Sequence, residues 1–299
     1  MKWELRGTFT ALITPFKQDG QIDKEGLRQL VELQLKGGVD GLVPCGTTGE
    51  SATLSHEEKH VVVKTVVDAS NGKVPVLAGA GTNNTADTLK LAKEFADVGV
   101  DGLLLVVPYY NKPTQEGMFQ HFKAVAQSVS LPVVLYNIPG RTASNLEVST
   151  VQRLCEIMNI AGLKESSGNF SQIMRLVEMV GEKISIVSGD DPITLPIIAL
   201  GGRGVISVAS NLVPEEMSRL VDEALSGHFQ EARQLHYQLL PLFDALFVET
   251  NPAPLKMAMS MLGLPAGTVR LPLVPVSQES TYKIKRVLDQ LGLSKKTVA

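Results

Sequence analysis

The sequence predicts an α/β fold, a (β/α)8 barrel of the TIM type, with a helical extension at its C-terminal end. Eight short apolar runs rich in β-branched residues recur along the chain, with helical patterns between them. Their starts lie roughly 20 to 35 residues apart, as a strand, a crossover helix and two loops require. The runs are continuously apolar, which is typical of parallel strands buried on both faces. No GxGxxG motif follows the first run, so the pattern favours a barrel over its rival, a doubly wound open sheet.

The predicted strands cover 8–16, 41–46, 74–81, 102–110, 132–139, 160–166, 184–190 and 204–210. The segments between them carry helix signals. The first helix begins at Asp23, a preferred N-cap residue, and ends at Gly37 and Gly38. The second begins with Ser55 and Glu58, whose spacing predicts a capping box.

The strand pattern stops after residue 212. The remaining segments have helical period and are punctuated by Pro and Gly. The first of them, PEEMSRLVDEALSG, completes the barrel. We therefore predict a catalytic barrel over 1–225 and a helical extension over 226–299, which packs on the barrel or on a partner chain.

Composition narrows the class of protein. The 299 residues carry a formal net charge of −3, which argues against nucleic acid as the main partner. No apolar run reaches about 18 residues, so we expect no membrane span, and the N-terminal segment does not resemble a signal peptide. The two cysteines, Cys45 and Cys155, form neither a metal-binding spacing nor a disulfide framework. We therefore expect a cytoplasmic protein.

The segment IAGLKESSGN (160–169) places Lys164 at the end of an apolar run. One interpretation is a surface lysine that begins a loop. The other is a lysine held in a dry pocket, where desolvation lowers the pKa of an amine and frees it as a nucleophile. The other strand ends decide between them, because active sites of such barrels lie at the carboxyl ends of the strands.

Strand two ends in GTTGE (46–50), whose consecutive N–H groups and Thr47 and Thr48 hydroxyls can hold a carboxylate. An ordinary turn with an N-cap is the alternative. Strand five ends in YNIPGRT, which puts Tyr136 near the barrel mouth and Arg141 just outside it. A half-buried core tyrosine is the alternative for Tyr136.

Together these groups suit imine chemistry on a 2-oxo acid. A buried amine attacks the ketone, and the imine then acts as the electron sink that makes the neighbouring carbon nucleophilic. Tyr136 is the natural proton shuttle. No HExxH motif, cysteine pair or convincing acidic triad is present, so we predict neither a metal nor another cofactor.

Several of these segments also resemble a known family. GTTGESATL, PYYNKPTQEG, YNIPGRT, GLKESSGN, SGDD and GVISV occur in this order. The set closely resembles the dihydrodipicolinate synthase family, one of the pyruvate-dependent Schiff-base lyases related to N-acetylneuraminate lyase. The GxTGE motif and the lysine of strand six mark the wider class. The combination of GTTGESATL with Arg141 in YNxPxRT is more specific to the dihydrodipicolinate synthase family.

The resemblance implies a role for each matching residue. Lys164 forms the imine with pyruvate, and Tyr136 is the acid/base. Tyr136 is linked through Thr48 to Tyr110, which reaches in from a neighbouring subunit. The resemblance also implies a homotetramer, a dimer of tight dimers.

The substrates follow from the same resemblance. Thr47 and Thr48 hold the pyruvate carboxylate, and Gly189 and Ile206 line the pyruvate pocket. Arg141 meets the carboxylate of the second substrate, L-aspartate-4-semialdehyde, since a guanidinium binds a carboxylate bidentately. The product is 4-hydroxy-tetrahydrodipicolinate, which is committed to diaminopimelate and lysine.

Some members of the family are inhibited by lysine at the tight-dimer interface. The matching positions here are Ser51, Ala52, His56, Lys59, Asn83, Asp87 and Tyr109. Sensitive members carry His or Glu at the position of Lys59, and a second ammonium repels bound lysine. Asp87 replaces a longer Glu. We therefore predict weak or absent inhibition by lysine.

Two alternatives remain open. The first is a related aldolase that cleaves a sugar acid such as 2-keto-3-deoxygluconate to pyruvate, a reaction with less need of Arg141. The second is a catalytically silent barrel that only binds a 2-oxo acid. A phosphate-binding barrel is disfavoured, because Asp190 and Asp191 at the end of strand seven would repel the ligand.

Overall fold

A computed structural model describes residues 4–295. Within these residues eight strands alternate with helices, as the sequence predicts. The strands are β1 (Gly7–Ala11), β2 (Gly41–Val43), β3 (Leu77–Gly79), β4 (Gly102–Val106), β5 (Val133–Asn137), β6 (Ile160–Glu165), β7 (Ser185–Ser188) and β8 (Gly204–Ser207).

The strands form one parallel sheet that closes on itself. Its order is β2-β1-β8-β7-β6-β5-β4-β3, so the first strand lies beside the last. A parallel bridge between Leu42 and Val76 joins the two ends of the sheet. The barrel prediction is therefore confirmed, because an open doubly wound sheet does not place its last strand beside its first.

Nine helices of the described region belong to the β/α units: α1 (Lys24–Lys36), α2 (His56–Ser70), α3 (Thr85–Val98), α4 (Gln115–Ser128), α5 (Pro139–Thr142), α6 (Val148–Leu154), α7 (Phe170–Val180), α8 (Thr194–Ala199) and α9 (Pro214–Leu225). The predicted caps are confirmed. Asp23 accepts from the Gly26 N–H at the start of α1. Ser55 and Glu58 form a complete capping box at the start of α2.

The predicted strands were too long at their carboxyl ends. The predicted run 102–110, for example, leaves the sheet at Val106, and the predicted run 8–16 leaves it at Ala11. Apolar residues continue past the end of the strand because they pack with the surrounding helices: Leu12 belongs to the cluster that includes Leu27 and Val62, and Ile13 to the cluster of the C-terminal helices. Leu12 and Ile13 are each only 1% exposed although they follow β1.

Three helices follow the barrel: α10 (Phe229–Ala245), α11 (Ala253–Met261) and α12 (Gln278–Gln290). Their buried side chains form a common apolar cluster with Ile13, Leu30 and Val205 of the barrel units. A separate cluster of ten buried side chains, among them Phe9 and Tyr136, fills the barrel interior. The boundary at 225/226 remains a prediction. No helix within residues 4–295 is both long and apolar enough to span a membrane.

Candidate active site

Lys164 lies near the end of β6 and is 5% exposed. The strand places it directly opposite Tyr136 of β5, because the two residues are partners in the parallel register. The Lys164 Nζ lies 4.2 Å from the centre of the Tyr136 ring. A strand end therefore holds an amine inside the barrel beside a phenol, in surroundings that have little contact with water.

A glycine makes room for the Lys164 side chain. A Cβ built on Gly189, just after β7, would lie 2.6 Å from Lys164 Cε and would collide with the Ser166 hydroxyl. The Gly189 N–H donates to the Glu165 carbonyl at 2.9 Å, which keeps β6 and β7 together beyond their last strand residues. A side chain at position 189 would therefore displace the amine.

Two aspartates follow Gly189. Asp190 lines the same cavity as Lys164, and Asp191 is 2% exposed. Burial raises the pKa of both carboxyls, and the nearby Lys164 opposes the rise. Asp191 accepts from the N–H groups of Val208 at 3.1 Å and Ala209 at 2.9 Å, so it supports the loop after β8.

The loop after β2 forms a tight turn opposite β6. The Glu50 N–H donates to the Thr47 carbonyl at 3.0 Å, and Thr14 Oγ1 donates to the Gly49 carbonyl at 2.7 Å. Glu50 has a φ of 54°, which is a left-handed conformation that costs free energy. The surrounding contacts hold the residue in this conformation. In this turn Thr47 is half-buried and Thr48 is buried, with 3% of its surface exposed.

Asn251, in the segment between α10 and α11, contacts two of the predicted site residues. Its Nδ2 donates to Thr48 Oγ1 at 3.0 Å, and its backbone carbonyl accepts from Arg141 Nη2 at 3.4 Å. Asn251 is 4% exposed. The extension therefore contributes directly to the barrel mouth.

Two adjoining cavities meet at this mouth and share several wall residues. The inner one, about 30 Å³, is lined by Thr47, Thr48, Tyr136, Arg141, Lys164, Gly189, Asp190 and Asn251, among others. The outer one, about 400 Å³, shares Thr47, Tyr136, Arg141 and Asn251 with it. It also includes Ser51, Ala52, Lys59 and Tyr109 from the predicted effector positions.

Some predicted residues lie outside both cavities. Ile206 is 0% exposed and belongs to the barrel core below the site. Tyr110 is 88% exposed. His56, Asn83 and Asp87 do not line the outer cavity either. The predicted Tyr136–Thr48 link stays a prediction, because the hydrogen bond found on Thr48 Oγ1 within the described residues comes from Asn251.

Sequence reasoning missed Asn251 and gave Asp190 no role in the site. Asn251 stands before a proline in NPAP, where a helix start was the obvious interpretation. Its partner Thr48 is 203 positions away, so no local pattern could connect them. For Asp190 a signal existed, since SGDD ends a predicted strand.

The fold and the site together define a (β/α)8-barrel enzyme with a buried lysine at the end of its sixth strand. The model of the dihydrodipicolinate synthetase family matches residues 4–291, and the chain belongs to this family. It is 49% identical to a 4-hydroxy-tetrahydrodipicolinate synthase of Syntrophus aciditrophicus, over 96% of this chain and 99% of the relative. It is 50% identical to the protein of that name from Methanothrix thermoacetophila, over 96% and 97% of the two chains.

Solved structures agree with these relatives. A dihydrodipicolinate synthase from Aquifex aeolicus superimposes with a TM-score of 0.95 at 46% identity, over 97% of this chain and 99% of that chain. A chloride-inhibited one from Acinetobacter baumannii, complexed with pyruvate, gives 0.95 at 40% identity, over 96% and 99%. A monomeric variant of a dihydrodipicolinate synthase gives 0.94 at 42% identity, over 96% and 97%.

Proposed function

We propose that this chain is a 4-hydroxy-tetrahydrodipicolinate synthase, a lyase that condenses pyruvate with L-aspartate-4-semialdehyde. The observation that carries the proposal is the buried Lys164 beside Tyr136, in a cavity whose opposite wall is the Thr47–Thr48 turn. Near-complete matches to enzymes of this name support the substrate pair. We expect the enzyme to work in the cytoplasm.

The first half-reaction uses Lys164 as nucleophile. Its amine adds to the ketone of pyruvate, and water leaves to give an imine. Loss of a methyl proton then gives an enamine, whose carbon attacks the aldehyde of the second substrate. Tyr136 lies within reach of these atoms and carries the protons, with Thr48 and the partner's tyrosine continuing the relay.

The groups around the Lys164 amine bind the two substrates. The turn N–H groups and the hydroxyls of Thr47 and Thr48 hold the pyruvate carboxylate. Arg141, at the shared wall of the two cavities, binds the carboxylate of the aldehyde substrate. Gly189 leaves space for the imine, and Ile206 forms the floor beneath it.

Ring closure releases the product from the enzyme. The amino group that came with the aldehyde substrate adds to the imine carbon, and the Lys164 amine leaves as the new carbon–nitrogen bond forms. The enzyme thereby returns to its starting state without any redox step. This sequence needs a second substrate with both an aldehyde and an amine, which a polyhydroxy sugar acid lacks.

We also propose a homotetramer built as a dimer of tight dimers. Tyr110 is 88% exposed in the single chain and has a φ of 74°, and both features are consistent with a contact to a neighbouring copy. Sedimentation analysis measures the assembly directly. A Tyr110→Phe variant is expected to assemble normally while turning over more slowly.

Borohydride trapping tests the imine. The protein is incubated with pyruvate, reduced, and mapped by mass spectrometry, with Lys164→Ala beside it. We expect the adduct on Lys164 and none in the variant. An adduct on another lysine, or none, would refute the mechanism. Turnover with L-aspartate-4-semialdehyde against 2-keto-3-deoxygluconate then separates the proposed synthase from a sugar-acid aldolase.

A further inference from the structure

Ser166 is a buried hydroxyl that the proposed mechanism does not use. It is 8% exposed and lies two residues beyond Lys164. Its backbone N–H donates to the Asn137 carbonyl at 2.9 Å, so its position is fixed by the β5–β6 ladder. Its Oγ is buried and has no hydrogen-bond partner among residues 4–295.

The hydroxyl lies beside the stem of the candidate nucleophile. The point where a Cβ of Gly189 would lie is 2.6 Å from Lys164 Cε and is in contact with Ser166 Oγ. The hydroxyl and the last carbon before the amine therefore both lie against Gly189, which lines the inner cavity. The Lys164 Nζ is turned toward the Tyr136 ring, so it does not satisfy the hydroxyl in the free enzyme.

An unpartnered buried hydroxyl lowers the stability of a folded protein, and folded proteins avoid this by pairing such groups. Alanine at position 166 would remove the cost with the loss of one oxygen atom. A bound ligand that supplies a hydrogen-bond partner for the hydroxyl would remove this loss of stability. The ligand atoms that come closest to Lys164 Cε are those bonded to the carbon that Nζ attacks.

That carbon carries three groups besides the nitrogen. Under the proposed function, its carboxylate is directed across the barrel to Thr47 and Thr48. Its methyl group cannot form a conventional hydrogen bond. The remaining group is the oxygen of the ketone under attack. Resting on the proposed function, we propose that Ser166 is a further catalytic residue, whose hydroxyl donates a hydrogen bond to this oxygen during imine formation.

The step balances without any added reagent. The nitrogen lone pair forms the N–C bond, the carbonyl π pair moves to the oxygen, and one nitrogen proton ends on that oxygen. The resulting carbinolamine loses its oxygen with the remaining nitrogen proton as water, which leaves the neutral imine. Ser166 donates a hydrogen bond while negative charge builds on the oxygen, and it transfers no proton in the net step.

The test is Ser166→Ala in the full chain. Imine formation with pyruvate is followed by quenching with borohydride at short times and measuring the intact mass. We expect the rate constant to fall about 100-fold, the lower range for loss of one oxyanion donor, while the melting temperature does not fall. Ser218→Ala is the matched control, because Ser218 Oγ is also buried without a partner among the described residues but lies on α9 and not in the segment that follows Lys164.

A second measurement separates this role from a general disturbance. Once the imine has formed, the oxygen has left as water. Enzyme preloaded with pyruvate is therefore expected to convert the aldehyde in its first turnover at the wild-type rate, even in Ser166→Ala. A general disturbance of the pocket would slow both steps together.

Each outcome of these two measurements either supports or overturns the role of Ser166. A loss of about tenfold or more in imine formation, confined to Ser166→Ala and absent from the preloaded turnover, supports the inference. A smaller loss, an equal loss in Ser218→Ala, or a slow preloaded turnover overturns it. If wild-type protein forms no adduct with pyruvate, the proposed function fails, and the inference fails with it.

Discussion

Within the described residues two lysines are buried: Lys164 at the barrel mouth, 5% exposed, and Lys256 on α11, 2% exposed. Both lie over an aromatic ring at the same distance. Lys164 Nζ is 4.2 Å from the Tyr136 ring centre, and Lys256 Nζ is 4.2 Å from that of Phe16. Burial and aromatic contact therefore do not distinguish a nucleophile from a structural residue.

The two lysines differ in their partners. Lys256 Nζ lies 2.5 Å from Glu50 Oε1 and donates to the Thr268 carbonyl at 3.0 Å. The other oxygen of Glu50 accepts from the Arg270 N–H at 2.9 Å. None of the ion pairs found within residues 4–295 includes Lys164, whose amine instead faces a cavity.

This difference separates the two roles. The Lys256 ammonium donates its protons to a carboxylate and a carbonyl. The residue lines neither cavity. An amine without a carboxylate at bonding distance, open to a small cavity, has a lone pair that a substrate can reach once the proton is lost. Lys256 instead ties the extension to Glu50, at the end of the Thr47–Thr48 turn.

The largest expected effect is a difference in kcat between variants of the two lysines. Lys164→Met should lower kcat by at least about 10⁴-fold, because removal of the proposed nucleophile leaves only binding and the remaining proton transfers. Lys256→Met should lower kcat far less and should still give a pyruvate adduct on Lys164. Initial rates and trapping on both variants check this. Equal losses would remove the distinction between the two sites.

The next effect concerns stability. Lys256→Met should lower the free energy of unfolding by about 3–5 kcal/mol, since it leaves the Glu50 carboxylate buried and unpaired. Urea denaturation measures the change. The double variant Glu50→Gln/Lys256→Met should regain most of the loss, because it removes both charges and keeps an acceptor for the Arg270 N–H.

A surface pair provides the control for this measurement. Lys183 Nζ lies 2.6 Å from Glu156 Oε1, but both side chains are more than half exposed. Lys183→Met should leave the denaturation midpoint unchanged, because water replaces the lost partner. A loss as large as that of Lys256→Met would show that burial does not set the energetics of these pairs.

A smaller effect appears in the pH dependence of stability. Burial lowers the pKa of Lys256 to about 8, although Glu50 partly opposes the shift. Between pH 8 and 10.5 the unfolded chain keeps this proton while the folded chain has lost it. Wild-type stability relative to Lys256→Met should therefore rise with pH across this window, by at most about 1.4 kcal/mol per pH unit.

Denaturation of both proteins at several pH values from 7 to 10.5 measures this slope, and the titrating groups that do not contact Lys256 cancel in the difference. A flat difference would mean that Lys256 keeps its ordinary affinity for protons. A difference that falls with pH would mean that the ion pair outweighs burial.

The two lysines also show what the sequence could predict. The eight strands, the helix caps and the strand-end position of Lys164 follow from periodicity and capping chemistry, which are local properties. Lys256 stands in a similarly apolar run, PLKMAM, so composition gave no reason to prefer one lysine. Lys164 differs from Lys256 in the sequence because a predicted strand precedes it and a polar loop follows.

Contacts between distant segments could not be predicted in this way. Glu50 and Lys256 lie 206 positions apart, and Asn251 lies 203 positions from Thr48. Each residue taken alone looks like an ordinary cap or helix residue. Only the folded chain shows that the extension supplies a partner to the turn after β2, and that Ser166 has no partner.

The smallest expected effect concerns a third lysine, Lys59, which lines the outer cavity but remains partly exposed. Ser51, Ala52 and Tyr109 share this wall, while Asp87 does not reach it. Two ammonium groups about 4 Å apart repel by about 1 kcal/mol in water and by about 4 kcal/mol near a protein surface. Even the lower value weakens binding of lysine several-fold.

Lysine at about 1 mM, a concentration matching a binding free energy of about −4 kcal/mol, should therefore lower activity less than twofold. Lys59→Met, which removes the charge and keeps much of the side-chain length, should make the enzyme more sensitive. Initial rates against lysine concentration measure both. Strong inhibition of the wild type would mean that water or a neighbouring copy screens Lys59. The charge of Lys59 would then have no effect on the binding of lysine.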